Sequence, residues 1–99
     1  MLFRSRFADL VRRQLDLFAA EHAGDLAEVR ERLDAYHGAD REEAEERYGD
    51  YVDAVDAVLE ALDDVRDRYA ATLDAAAEDE YVRAFERAAR RRRELPARQ

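Results

Sequence analysis

Cysteine, lysine, isoleucine, asparagine and tryptophan are all absent from this 99-residue chain. Without cysteine there are no disulfides, no thiolate catalysis and no zinc–thiolate centre. Proline occurs once and glycine three times, and a β-sandwich or barrel would need far more turn residues. Ser5, Thr72, His22 and His37 are the whole supply of serine, threonine and histidine, so no Ser/His/Asp or Cys/His constellation can be assembled. No glycine-rich phosphate loop occurs. Nowhere do about 18 uncharged apolar residues follow one another, so no membrane span is expected. The opening run Met1-Leu2-Phe3-Arg4-Ser5-Arg6 lacks the apolar stretch of a signal peptide. A soluble, cytoplasmic protein is the expectation.

What is present is alanine and charge. Hydrophobic residues make up 47% of the chain, but 20 of them are alanine, so the core must be thin. Thin cores suit helices laid side by side, because alanine has the highest helix propensity and lets backbones approach closely. All 17 basic residues are arginine, which reads as codon bias from a high-GC genome. The net charge of −8 is unevenly spread: both ends are basic, and nearly all the acids lie between residues 14 and 80.

Apolar spacing divides the chain into helices. Phe7, Val11, Leu15, Phe18, Leu26, Val29, Leu33 and Tyr36 follow steps of mostly three and four, as one helix face requires. Asp25 with Glu28 could be a capping box after Gly24, but the stripe keeps its phase. One helix over 3–37, bent at Gly24, is therefore expected. Gly38 stops it, and Asp40 with Glu43 forms a second capping box. A turn this short makes the next helix antiparallel. That helix, over 41–72, carries the seam Tyr48, Val52, Val55, Leu59, Leu62, Arg66, Tyr69 and Leu73, with Tyr51, Val58 and Val65 on one flank. Arg66 is its polar exception and is expected to reach water or an acid such as Asp16. Asp74 caps a third helix over 75–93, with Tyr81, Phe85 and Ala88 on its inner face. Residues 96–99 are expected to fray. A single helix from 41 to 93 is the competing reading.

The fold class expected is all-α: a single domain over 1–95 in which two long antiparallel helices carry a shorter third, like a three-helix bundle or coiled coil. The third helix reaches only the end near the chain start. There the first helix is apolar over a wide arc, including Phe3, Leu10 and Leu17, so it can touch two neighbours. The far end should be a bare two-helix coil. Its residues Leu26, Val29, Leu33, Tyr36, Tyr48, Tyr51 and Val52 are the candidate surface for a protein partner or a homodimer.

Other chemistries are weaker. Glu28–Arg32, Glu43–Arg47, Asp64–Arg68 and Glu86–Arg90 have the i,i+4 spacing of stabilising helix pairs, which accounts for many of the carboxylates without catalysis. A ferritin-like di-iron site needs two Glu-x-x-His motifs, and the nearest match is the single Asp34-Ala35-Tyr36-His37. His22 reads as a core or interface histidine and His37 as a cation for a helix C-terminus. No catalytic, cofactor or metal residue is assigned. Arg83, Arg87, Arg90, Arg91, Arg92 and Arg93 form a candidate basic patch that could meet nucleic acid. They could equally neutralise the chain's own acids, and a charge of −8 repels nucleic acid at long range. Phe3, Phe7, Leu10 and Val11 with Arg4, Arg6, Arg12 and Arg13 could lie on an anionic membrane, but the bundle needs the same aromatics.

The runs Arg6-Phe7-Ala8-Asp9-Leu10-Val11, Gln14-Leu15-Asp16-Leu17-Phe18, Tyr48-Gly49-Asp50-Tyr51 and Arg68-Tyr69-Ala70-Ala71-Thr72-Leu73-Asp74 resemble small uncharacterised helical proteins of high-GC actinobacteria. The resemblance covers most of the chain and brings no chemistry with it. The expected function is a non-catalytic helical structural or protein-interaction module, with a nucleic-acid-associated accessory protein as the alternative.

Overall fold

The computed structural model describes residues 5–98. Among them are four helices and no strand: α1 (Ala8–Glu21), α2 (Ala23–His37), α3 (Ala44–Ala70) and α4 (Ala75–Arg90). The body measures 50 × 29 × 23 Å. α2 packs along α3, while α4 packs against α1 and α3. One end is thus a three-helix cluster and the other a two-helix pair, as the apolar spacing implied.

The first long helix is in fact two. Its break falls at His22, with φ −107° and ψ 23°, not at Gly24. The hydrogen bonds His22 N–H to Phe18 O and Leu26 N–H to His22 O, each 2.9 Å, hold the two halves in sequence. That local continuity is why the apolar stripe keeps its phase across a bend. The His22 ring lies on Phe18, centroids 4.2 Å apart and planes 23° apart. Its Nδ1 stands 3.0 Å from Asp25 Oδ2. Asp25 is therefore no N-cap; it sits in the first turn of α2, where a negative charge suits the helix dipole. The expected start at Phe3 lies outside the described residues, and α1 begins at Ala8.

Of the two other expected caps only Asp74 is the N-cap of its helix; α3 has Glu43 there, without a side-chain cap hydrogen bond. The Asp40 carboxylate accepts the Glu43 N–H at 3.0 Å, and the Asp40 carbonyl accepts Ala44 N–H at 3.0 Å. Asp40 thus closes a turn over 41–43, and α3 proper starts at Ala44. Asp74 caps α4 by accepting Ala77 N–H at 2.9 Å. A single helix over 41–93 is excluded by the turn at 71–74. Gly38 ends α2 with φ −91°, so the stop does not use the left-handed conformation that glycine usually supplies.

Val11, Leu15, Tyr81 and Phe85 are the largest fully enclosed side chains. Tyr81 stands in an aromatic cluster with Tyr69, Phe7 and Phe85, at centroid distances of 4.7, 5.5 and 6.0 Å. Its hydroxyl donates to Gln14 Oε1 at 2.8 Å, which satisfies a polar atom that burial would otherwise penalise. Burial pushes the Tyr81 hydroxyl above its ordinary value, against the Gln14 hydrogen bond. Small residues complete the core, with Ala54, Ala70, Ala77 and Ala84 all buried.

The α3 seam differs in detail from its heptad reading. Val55, Val58 and Leu62 are buried, but Leu59 and Leu73 are only half-buried and Tyr48 is exposed. A helix gripped by α2 at one end and by α4 at the other turns a different stripe inward at each. Arg66 is spent inside the molecule: its guanidinium meets Asp67 at 2.9 Å, Asp63 at 3.3 Å, and Glu86 of α4. The hydrogen bond to Asp67, with Glu86 and Asp63 beside it, raises its pKa still further above the ordinary arginine value.

The C-terminal segment, expected to fray over 96–99, lies against the bundle. α4 ends at Arg90 rather than 93, and Leu95 is buried in the core. Arg98 then pairs with Asp63 and, at 3.8 Å, with Glu86. Leu95 and these carboxylate contacts lay the segment against the bundle; Gln99, the last residue of the expected frayed tail, lies outside the described residues.

Candidate functional site

The two-helix end carries the candidate partner surface. Leu26 and Val29 are buried in the core, at 5% and 9% exposure, so they are not available to a partner. Leu33, Tyr36, Tyr51 and Val52 are half-buried and Tyr48 is 40% exposed. The three tyrosines form a ladder, with centroids 5.2 Å apart for Tyr36–Tyr48 and 6.1 Å for Tyr48–Tyr51. The spacing from Tyr48 to Tyr51 sets both on one α3 face, and the antiparallel turn brings Tyr36 across from α2. His37 abuts Tyr36 in the last turn of α2, at 5.6 Å.

This end is held rigidly from within. Arg32 on α2 donates to the Asp50 carbonyl of α3 at 2.8 Å and to Glu28 at 2.6 Å. Beyond the tyrosines a groove of about 240 Å³ runs past Tyr51, Val52, Val55 and Leu59 to Ala97 and Arg98. The C-terminal segment supplies one wall of it, a part that periodicity could not have indicated because residues 91–98 have no repeat. A neighbouring hollow of about 270 Å³ lies under Leu95 and Pro96, against Leu59 and Leu62.

The candidate basic patch divides. Arg92 is mostly buried and pairs with Asp16 at 2.7 Å and with Glu94 at 3.6 Å. Arg92 thus takes the acid expected for Arg66. Arg83 pairs with Asp79 at 3.2 Å, both exposed. Arg87, Arg90, Arg91 and Arg93 are exposed and have no ionic partner among the described residues. Arg87 and Arg91 flank a groove of about 290 Å³ between α1 and α4, shared with Ser5, Ala8 and Val11. Of the expected i,i+4 pairs, Glu28–Arg32 forms at 2.6 Å, while Arg47 turns to Asp50 at 3.8 Å. Glu86 pairs with Arg66 and Arg98.

Leu17 was expected in the packed arc of α1 but is 59% exposed. α4 approaches α1 on the side of Ala8 and Val11, leaving Leu17 turned out. No group of three His, Cys, Asp or Glu among the described residues is arranged to hold a metal ion. No helix among them is long and apolar enough to cross a membrane. No protein-family model, curated protein or solved structure matches the chain.

Proposed function

We propose that this chain is a non-catalytic protein-interaction module that docks partners on the tyrosine end of its helical hairpin. The observation that carries the reading is the ladder Tyr36, Tyr48 and Tyr51, with Tyr48 40% exposed while α4 is committed to α1 and α3. Tyrosines held by a rigid scaffold supply large contact area at low entropic cost and are enriched among binding hot spots. The surrounding surface is acidic: residues 31–56 carry ten acids and three arginines. A basic amphipathic segment of a partner fits both features. Its cations would lie over the tyrosine rings and near the carboxylates, and its apolar face would enter the groove beside Val52 and Val55.

A non-catalytic role is supported by the core itself. Among the described residues no charged side chain is fully buried, and the enclosed Tyr81, whose pKa burial raises, spends its hydroxyl on Gln14 within the bundle. The test is a photo-crosslinking side chain at position 48 in the native cell, with position 79 as control. Partners with a basic amphipathic segment should crosslink at 48, and Tyr48→Arg should abolish their capture by the purified protein. Equal crosslinking at both positions, or capture unaffected by Tyr48→Arg, would end the reading.

The four unpaired arginines at the other end favour a second reading, a nucleic-acid-associated accessory role. It requires salt-sensitive binding to duplex DNA or RNA that is lost when Arg87, Arg90, Arg91 and Arg93 are replaced together by glutamine. No binding at low salt dismisses it.

A further inference from the structure

α1 presents a second face that the bundle covers only at its Leu10 end. Leu10, Arg13, Leu17 and Glu21 recur at steps of three and four, so they share one side of the helix. Leu17, at the middle, is 59% exposed, the most exposed large apolar side chain among the described residues. Arg13 and Glu21 flank it one turn away on either side, both exposed and both without an ionic partner among the described residues. Beside this face α1 and α3 stand apart. Two shallow, open grooves run along this side beyond the Phe7–Tyr69 contact, one past Leu10, Arg13 and Leu73, the other past Gln14, Glu21 and Val65.

We infer that this face is a two-fold interface with a second copy of the same chain, α1 against α1 antiparallel, with Leu17 on the axis. The argument is the charge order. Arg13 lies four residues before Leu17 and Glu21 four residues after it. An antiparallel copy centred on Leu17 sets the Arg13 of each chain opposite the Glu21 of the other, and sets the two Leu17 side chains against each other. One face is then complementary to itself, which is what an isologous dimer requires. A parallel copy in the same register would oppose like charges at both positions. Two faces of a 14-residue helix form an interface below about 1,200 Å², the class of weak and reversible contacts. The pairing leaves both tyrosine ends free, so it does not depend on the docking surface above and would make that surface bivalent.

A charge-reversal cycle on the full chain tests it, read by sedimentation equilibrium from micromolar to millimolar protein. The unaltered chain should dimerise reversibly. Arg13→Glu and Glu21→Arg should each weaken dimerisation about tenfold, since two symmetry-related pairs turn repulsive. The double variant should restore it. Leu17→Asp should leave a monomer with unchanged helix content by circular dichroism, because all three side chains are exposed. The cysteine-free background allows a second readout. Leu17→Cys should give covalent dimer with a short bis-maleimide, and Glu60→Cys should not. A chain monomeric at millimolar concentration, a double variant as weak as the singles, or equal crosslinking from both cysteine variants would overturn the inference.

Discussion

Arg92, from the segment after α4, reaches Asp16 on α1 at 2.7 Å while also donating to the Arg12 carbonyl at 3.2 Å. The chain's last part is thereby tied to its first helix across the face that α4 packs on. Arg92→Ala should therefore loosen residues 91–98 more than it destabilises the whole. Asp16 is well exposed, so the ion pair contributes at most about 1 kcal/mol. Urea unfolding should move by that amount or less. Amide exchange should rise first around Leu95; unchanged exchange there would show that Leu95 alone anchors the segment.

Arg66 has better-shielded partners than Arg92. It holds Glu86, Asp63 and Asp67 together at the α3–α4 crossing. Arg66→Ala leaves three carboxylates crowded with only Arg98 to offset them. A loss of roughly 1–3 kcal/mol is expected at neutral pH, the range for hydrogen bonds to charged groups. The loss should shrink in acid, where the carboxylates are protonated. An equal loss at both pH values would mean that the arginine stem, not its charge, matters at this crossing.

Gly24 lies inside α2 with ordinary helical backbone, and a Cβ there would meet nothing within 4 Å. Gly24→Ala should stabilise the chain by about 0.5–1 kcal/mol, by restricting the unfolded state. Gly38→Ala should also be tolerated, because its φ is negative and the new Cβ would sit 3.5 Å from the Asp34 carbonyl oxygen. Thermal melts of both variants check this. A marked loss at Gly24 would mean that the bend at His22 moves with it.

Tyr81 predicts the alkaline limit of the fold. Its folded pKa is raised above the ordinary tyrosine value of 10.0, chiefly by burial. Above that pH the unfolded chain releases the proton while the folded chain keeps it, so stability is intact below it and falls as pH rises towards the folded value. Tyr81→Phe should flatten that decline, at the cost of leaving Gln14 without its hydroxyl partner. Denaturant midpoints between neutral and strongly alkaline pH measure it; an unchanged slope would place the alkaline sensitivity on other groups.

How much of this was legible in the sequence differs from element to element. Asp40 and Asp74 marked their turns because a carboxylate three residues before an unpaired N–H is a local arrangement. The half-covered hairpin was legible because apolar arc width counts neighbours. The bend at His22 was not, since the helical hydrogen bonds on either side preserve the stripe's phase. Leu17 was misplaced for a related reason: periodicity gives the faces of a helix but not the side from which a neighbour arrives. Arg92, rather than Arg66, finds Asp16 because the pairing depends on where residues 91–98 cross, and that crossing is set by the burial of Leu95. Of the candidate surface, the tyrosines stayed accessible while Leu26 and Val29 went to the core, a division set by how closely α2 and α3 approach.

The bend at His22 leaves two unlike ends joined by one continuous core. At one end aromatic rings from the start of α1, from α3 and from α4 interlock; at the other, α2 and α3 pack on Leu26 and Val29, with Arg32 clasping the Asp50 carbonyl. Local opening is expected first where fewer segments converge, at the two-helix end. Sequence change at the exposed Tyr48 should accordingly cost the fold less than change at the enclosed Tyr81.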